Sequence, residues 1–79
     1  MIVIDTHVLI WSLGDARRLS RPAQSALRRE QDIRIPAICL WEFAMLAVRG
    51  RVNVNPLRLP AVFEQAFSNP AVSLQPLTP

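Results

Sequence analysis

Two acidic residues, Asp5 and Glu42, occur in apolar surroundings. Asp5 directly follows the apolar run 1–4, and Glu42 is the single charged residue in the segment 37–48. Ligand sites in open α/β sheets form at the carboxyl ends of strands, and a buried carboxylate needs a cation, an arginine or a proton. Two carboxylates that face one crevice would bind a hard divalent cation such as Mg²⁺, which prefers oxygen ligands. The sequence therefore indicates a metal site at Asp5 and Glu42.

Each acid also has a purely structural interpretation. Asp5 precedes a helical pattern and would cap that helix through its carboxylate. Glu42 would form an ion pair with Arg34 or Arg49. These alternatives remain open at the level of sequence, and only the combination of the two acids favours a metal site.

Five further residues have side chains with candidate chemical or structural roles. The Thr6 hydroxyl would hold a metal-bound water or a phosphate, or would support a turn. His7 has no metal-ligating neighbour within one helical turn, which favours a packed or surface histidine. Trp11 and Trp41 are expected in the core rather than stacked on nucleic-acid bases. Cys39, the only cysteine, lies in an apolar run and is expected to be a small buried hydrophobic residue, so no internal disulfide can form.

The elements that must position these residues follow from periodicity and from start and stop signals. Strands are predicted over 1–4, 33–35 and 71–74, and helices over 7–13, from Ser20 onward, over 37–48 and over 59–67. We expect a loop at 14–18, a short extended piece at 52–54, and a helix over 37–48 that is buried. The order β-α-α-β-α-α-β predicts an α/β fold, a parallel sheet flanked by helices.

Length and composition limit the possibilities further. A chain of 79 residues fits one domain, 1–79, and an apolar fraction of 51% excludes a disordered chain. Its apolar runs are too short for a membrane span, and no basic segment precedes the first of them, so we expect a soluble, cytoplasmic protein. All nine basic residues are arginines and the net charge is +3, which suits phosphate or carboxylate partners or a merely solvated surface.

Several segments, taken together and in order, resemble a known family. Residues 2–11 (an apolar strand, then Asp-Thr and an apolar helix) are similar to the opening of PIN-domain ribonuclease toxins of the VapC type. Residues 40–46, with Glu42 at their centre, resemble the family's second acidic motif, and 49–52 its Gly-Arg turn. Segments 18–20 and 74–79 also match. The resemblance covers essentially the whole chain.

This resemblance implies a PIN-like parallel sheet and metal-dependent hydrolysis of RNA. Asp5 and Glu42 carry over as the first two metal-binding and catalytic acids, with Mg²⁺ or Mn²⁺ as the cofactor, and Thr6 more loosely as a substrate-binding residue. The implied partners are a cognate antitoxin, RNA and a second copy in a homodimer, with no membrane.

One departure limits the implied activity. The family's later acids lie on an Asp-rich strand-to-helix junction, whereas Glu64 is the only acidic residue after Glu42. The domain is therefore expected to be incomplete at its C-terminus, where 77–79 form a helix start signal, and the isolated chain to have little or no nuclease activity. The alternatives are a non-catalytic module for antitoxin binding or dimerisation, or a decayed gene product.

Overall fold

Three short parallel strands form the sheet of the computed structural model, which describes residues 1–77. They are β1 (Ile2–Val3), β2 (Ile33–Pro36) and β3 (Val72–Gln75), in the order β1-β2-β3. Ile33 on the central strand is in register with Ile2 on one side and Val72 on the other. The predicted α/β class with a parallel sheet is confirmed.

Four α-helices and two short 3₁₀ helices connect the strands. The α-helices are α1 (Thr6–Leu13), α2 (Arg21–Arg29), α3 (Ala37–Val48) and α4 (Leu59–Phe67), and the 3₁₀ helices span Ala16–Arg18 and Pro56–Arg58. The third and fourth α-helices have the bounds predicted from sequence. The predicted start of the second is also confirmed, because the Ser20 hydroxyl accepts a hydrogen bond from the Ala23 N–H at 3.2 Å.

Two predicted connections differ from the structure. The predicted loop at 14–18 contains a 3₁₀ turn, because the Asp15 carboxylate accepts the backbone N–H of Arg17 and stabilises the turn. The predicted extended piece at 52–54 forms no strand; instead the Val54 N–H bonds locally to the Val52 carbonyl at 2.9 Å. The predicted helix start at 77–79 includes residues 78 and 79, which lie outside the described residues.

The core lies between the helices and one face of the sheet. Ile4, Ile33 and Ile35 are buried on that face, and Leu9 and Phe43, each 1% exposed, pack over them. Phe43 also meets Phe63 of α4 edge-on, with ring centroids 5.7 Å apart. Alternate strand residues on the other side (Val3, Arg34 and Ser73) are exposed, so among residues 1–77 the helices cover one face of the sheet.

Cys39 is buried, as predicted, with its Sγ 3.9 Å from the Ile4 carbonyl oxygen. It lies on the inward face of α3 with Phe43 and Ala47, at intervals of four residues that bring the three to one side of the helix. This face packs against α1 and the sheet. The thiol is therefore a structural part of the core.

The prediction that α3 is a buried helix holds for its inward face but not for its outer side. Ile38, Trp41 and Val48 are 41%, 60% and 64% exposed, so the expected core position of Trp41 is also wrong. No element within residues 1–77 covers the outer side of this helix. Trp11 is half-buried and lies beside the exposed His7, with ring centroids 5.9 Å apart. None of the helices described here is long and apolar enough to span a membrane.

Candidate active site

Asp5 lies at the carboxyl end of β1, immediately before the first turn of α1. Its backbone is extended, and its Oδ1 accepts a hydrogen bond of 2.8 Å from the Val8 N–H. The interpretation of Asp5 as a helix cap is therefore confirmed. This cap contact uses the Oδ1 oxygen of Asp5. The second carboxylate oxygen, Oδ2, accepts no hydrogen bond from the residues that the structure describes. The residue is exposed, so Oδ2 is open to a ligand.

Glu42 lies in the second turn of α3 and is exposed. The expectation that it is buried is wrong, because it lies near the solvent side of the helix rather than on the inward face with Phe43. The alternative of an ion pair with arginine is wrong as well. Arg34 pairs with Asp32 at 3.3 Å, and Arg49 forms no ion pair in the part of the chain that the structure describes.

Thr6 connects the two acids. Its hydroxyl Oγ1 donates a hydrogen bond of 2.9 Å to Oε2 of Glu42, across 36 residues of sequence. Since neighbouring Cα atoms are about 3.8 Å apart, this bond brings Glu42 beside the residue that follows Asp5. The sequence suggested Thr6 only as a possible ligand-binding or turn residue; its role in holding Glu42 was missed. The sequence carried one indication of this contact. The hydroxyl of Thr6 directly follows Asp5, and Glu42 is an isolated acid on an otherwise apolar helix.

The chemistry of this donor set suits a hard cation. Asp5 and Glu42 each offer one carboxylate oxygen that is free of protein hydrogen bonds among the described residues, and Mg²⁺ or Mn²⁺ prefers such oxygens while retaining several waters. No group of three or more histidine, cysteine, aspartate or glutamate side chains that could hold a metal comes together in residues 1–77. Within the described residues, the candidate donors at this place are thus two carboxylates, those of Asp5 and Glu42.

Comparison with known proteins gives two findings. The sequence matches the PIN domain family over residues 2–78. It is also 30% identical over 53 residues to Ribonuclease VapC22 of Mycobacterium tuberculosis, a match that covers 67% of this chain and 41% of that relative. The chain thus aligns with about two fifths of the length of this curated relative. No solved structure matches the chain.

Proposed function

The chain belongs to the PIN-domain family, and from this premise we propose that it is the N-terminal part of a metal-dependent endoribonuclease toxin of a type II toxin–antitoxin system. The observation that supports the proposal is the hydrogen bond from Thr6 to Glu42, which joins the second acid to the residue that follows Asp5. The similarity to a VapC ribonuclease supports RNA as the substrate.

In this proposal Asp5 and Glu42 are the residues that would hold Mg²⁺ or Mn²⁺. A divalent ion at such a site supplies charge stabilisation to a phosphodiester and lowers the pKa of a bound water. The chain's own residues position the ligands: the Val8 N–H fixes the rotamer of Asp5, and the Thr6 hydroxyl fixes that of Glu42. Both contacts restrict side chains that would otherwise be free in solvent, which lowers the entropic cost of binding a cation.

The partners follow from the same proposal. Nine arginines and a net charge of +3 suit the phosphate backbone of RNA and make binding sensitive to salt. The inhibitor would be a cognate antitoxin, the oligomer a homodimer and the location the cytoplasm, where the RNA substrate is found. We further propose that the 79-residue chain has little or no nuclease activity alone, since two carboxylates hold a divalent ion weakly.

Titration of Mn²⁺, followed by electron paramagnetic resonance, tests the site directly. We expect weak binding of Mn²⁺ to the wild-type chain, and loss of binding in both Asp5→Asn and Glu42→Gln. Glu64→Gln is the matched control, because Glu64 is an exposed acid on α4 that is remote in sequence from both ligands. Equal Mn²⁺ binding by all four proteins would overturn the proposed metal site. Robust Mg²⁺-dependent RNA cleavage that Asp5→Asn abolishes would overturn the proposed inactivity of the isolated chain.

A second candidate function is a non-catalytic module that dimerises or binds an antitoxin. It is favoured by the exposed apolar residues of α3 (Ile38, Trp41 and Val48), which lie on one side of the helix. Sedimentation velocity at increasing protein concentration separates the possibilities. A dimer that Trp41→Glu dissociates, together with the absence of Mn²⁺ binding, would favour this module over the nuclease.

A further inference from the structure

A cavity of about 380 Å³ lies between the C-terminal end of α1 and the loop that follows α3. Its floor is apolar and is formed by Ile10, Trp11, Phe43 and Val54. Phe43 is 1% exposed and belongs to the core, so the floor is supported from behind by packed side chains. A cavity of this size on a rigid floor can take one large apolar side chain.

The rim of the cavity carries positive charge. Arg18 and Arg51 both line it, both are exposed, and neither forms an ion pair among the described residues. The one acid on the rim, Asp15, is engaged by Arg17, whose Nε donates a hydrogen bond of 3.1 Å to the carboxylate. That bond lowers the pKa of Asp15, so the carboxylate is ionised at neutral pH and held by its neighbour. Arg18 also lowers the pKa of Asp15, by charge attraction alone. Because neither rim guanidinium group forms an ion pair among the described residues, both can still contact an anion from outside.

We propose that this cavity binds an acidic segment of a partner polypeptide, which inserts an aliphatic or aromatic side chain and places carboxylates against Arg18 and Arg51. The proposal rests on the proposed function and deepens it by locating the surface that an inhibitory protein would occupy. The cavity is lined by Ile10 and Trp11, which follow Asp5 by five and six residues, about 7.5 and 9 Å along α1 at 1.5 Å per residue. Neither Asp5 nor Glu42 lines it.

The lining favours a polypeptide over RNA. A nucleobase carries several polar groups that need hydrogen-bond partners once they leave water, and on the floor only Trp11 has a polar group, its single indole N–H. An apolar side chain meets that floor without such a cost, and neighbouring carboxylates match the forked guanidinium groups in geometry and charge.

The two tryptophans make a direct test possible, because Trp11 lines the cavity and Trp41 does not. The indole N–H resonances of the ¹⁵N-labelled chain would be followed during titration with a synthetic twelve-residue peptide that alternates glutamate with leucine and carries one central tryptophan. A second peptide with lysine in place of glutamate, and a single-stranded RNA of twelve nucleotides, are the comparison ligands. We expect the acidic peptide to shift the resonance of Trp11 and leave that of Trp41 unchanged.

Variants then identify the groups responsible. The double variant Arg18→Glu, Arg51→Glu should weaken binding of the acidic peptide by about tenfold or more, because two attractive contacts become repulsive. The control double variant, Arg28→Glu, Arg29→Glu, makes the same change of charge on α2, outside the cavity. It should weaken binding of the acidic peptide far less. Asn53→Trp, at an exposed position of the lining, should obstruct the cavity and abolish the shift of Trp11.

The proposal is overturned if the acidic peptide does not shift the indole resonance of Trp11, or if the lysine peptide or the RNA shifts it equally. It is also overturned if both double variants weaken binding of the acidic peptide to the same extent. The Trp11 shifts and the peptide affinities do not depend on whether Asp5 and Glu42 bind a metal ion. Absence of Mn²⁺ binding at Asp5 and Glu42 would refute the proposed function, whereas the response of Trp11 reports on the cavity alone.

Discussion

The hydroxyl of Thr6 donates a hydrogen bond of 2.9 Å to Oε2 of Glu42 and so joins the first turn of α1 to the second turn of α3. The two helices also pack against each other, and each contributes a residue to the same core, Leu9 from α1 and Phe43 from α3. Burial of these apolar side chains fixes the relative position of the helices, and the polar contact then sets the rotamer of Glu42. The candidate site is thus positioned by the core beneath it.

Replacement of Thr6 by valine should remove this contact while preserving the shape of the side chain. Because the bond is exposed to solvent, we expect a loss of about 1 kcal/mol or less in the free energy of unfolding. Mn²⁺ affinity should fall several-fold, since Glu42 would sample other rotamers. Thr6→Ser retains the hydroxyl and should preserve the affinity. Unchanged Mn²⁺ affinity in the valine variant would show that Thr6 does not position the ligand.

Asp5 has two separable roles, as helix cap and as proposed metal ligand. Asn is as good an N-cap as Asp, so Asp5→Asn should retain stability and lose Mn²⁺ binding. Asp5→Ala should lose both, with a cost of about 1 kcal/mol in the free energy of unfolding measured in urea. If the asparagine variant were as unstable as the alanine variant, the hydrogen bond from Val8 would not be the stabilising contact.

Phe43 and Trp41, two residues apart on α3, should differ strongly in their response to truncation. Phe43→Ala removes a ring that is 1% exposed, at an expected cost of about 3–5 kcal/mol, comparable to the whole stability of a small domain. Trp41→Ala truncates a side chain that is 60% exposed and should change the free energy of unfolding by about 0.5 kcal/mol or less. Cooperative urea unfolding of the wild type is required for both comparisons, and its absence would favour a decayed gene product.

The same helix shows how far the sequence predicts the structure. Its bounds, Ala37–Val48, follow from length, composition and the flanking Pro36 and Gly50, and these signals are local. Its orientation does not follow, because eleven apolar residues and one acid give no periodic pattern that separates an inward from an outward face. The errors at Trp41 and Glu42 have this single cause. The hydroxyl beside Asp5 is visible in the sequence, but its bond to Glu42 does not follow from that, since the bond depends on how two helices pack over the sheet.

The ion pair of Asp15 and Arg17 should make a small pH-dependent contribution to stability. The side-chain hydrogen bond from Arg17 lowers the pKa of Asp15 from its ordinary value of 3.8. A carboxylate whose pKa is lowered by folding stabilises the native state above its unfolded pKa, and this contribution is lost as the pH falls through the folded pKa. An NMR titration of the Asp15 carboxyl should therefore show a midpoint below 3.8 that rises towards it in Arg17→Gln. A midpoint that does not move would exclude the guanidinium as the cause.

Cys39 should report on the packing of α3 against the sheet. Its side chain is buried and its Sγ faces the Ile4 carbonyl, so a thiol reagent cannot reach it in the native state. We expect negligible modification in buffer and a rate that rises with urea in step with the unfolded fraction, since exposure of Cys39 requires α3 to separate from β1. Phe43→Ala should accelerate modification strongly in the absence of urea, whereas Trp41→Ala should not. Rapid modification of the wild-type chain in buffer would mean that α3 detaches readily from the sheet, and the hydrogen bond between Thr6 and Glu42 would then form for only part of the time.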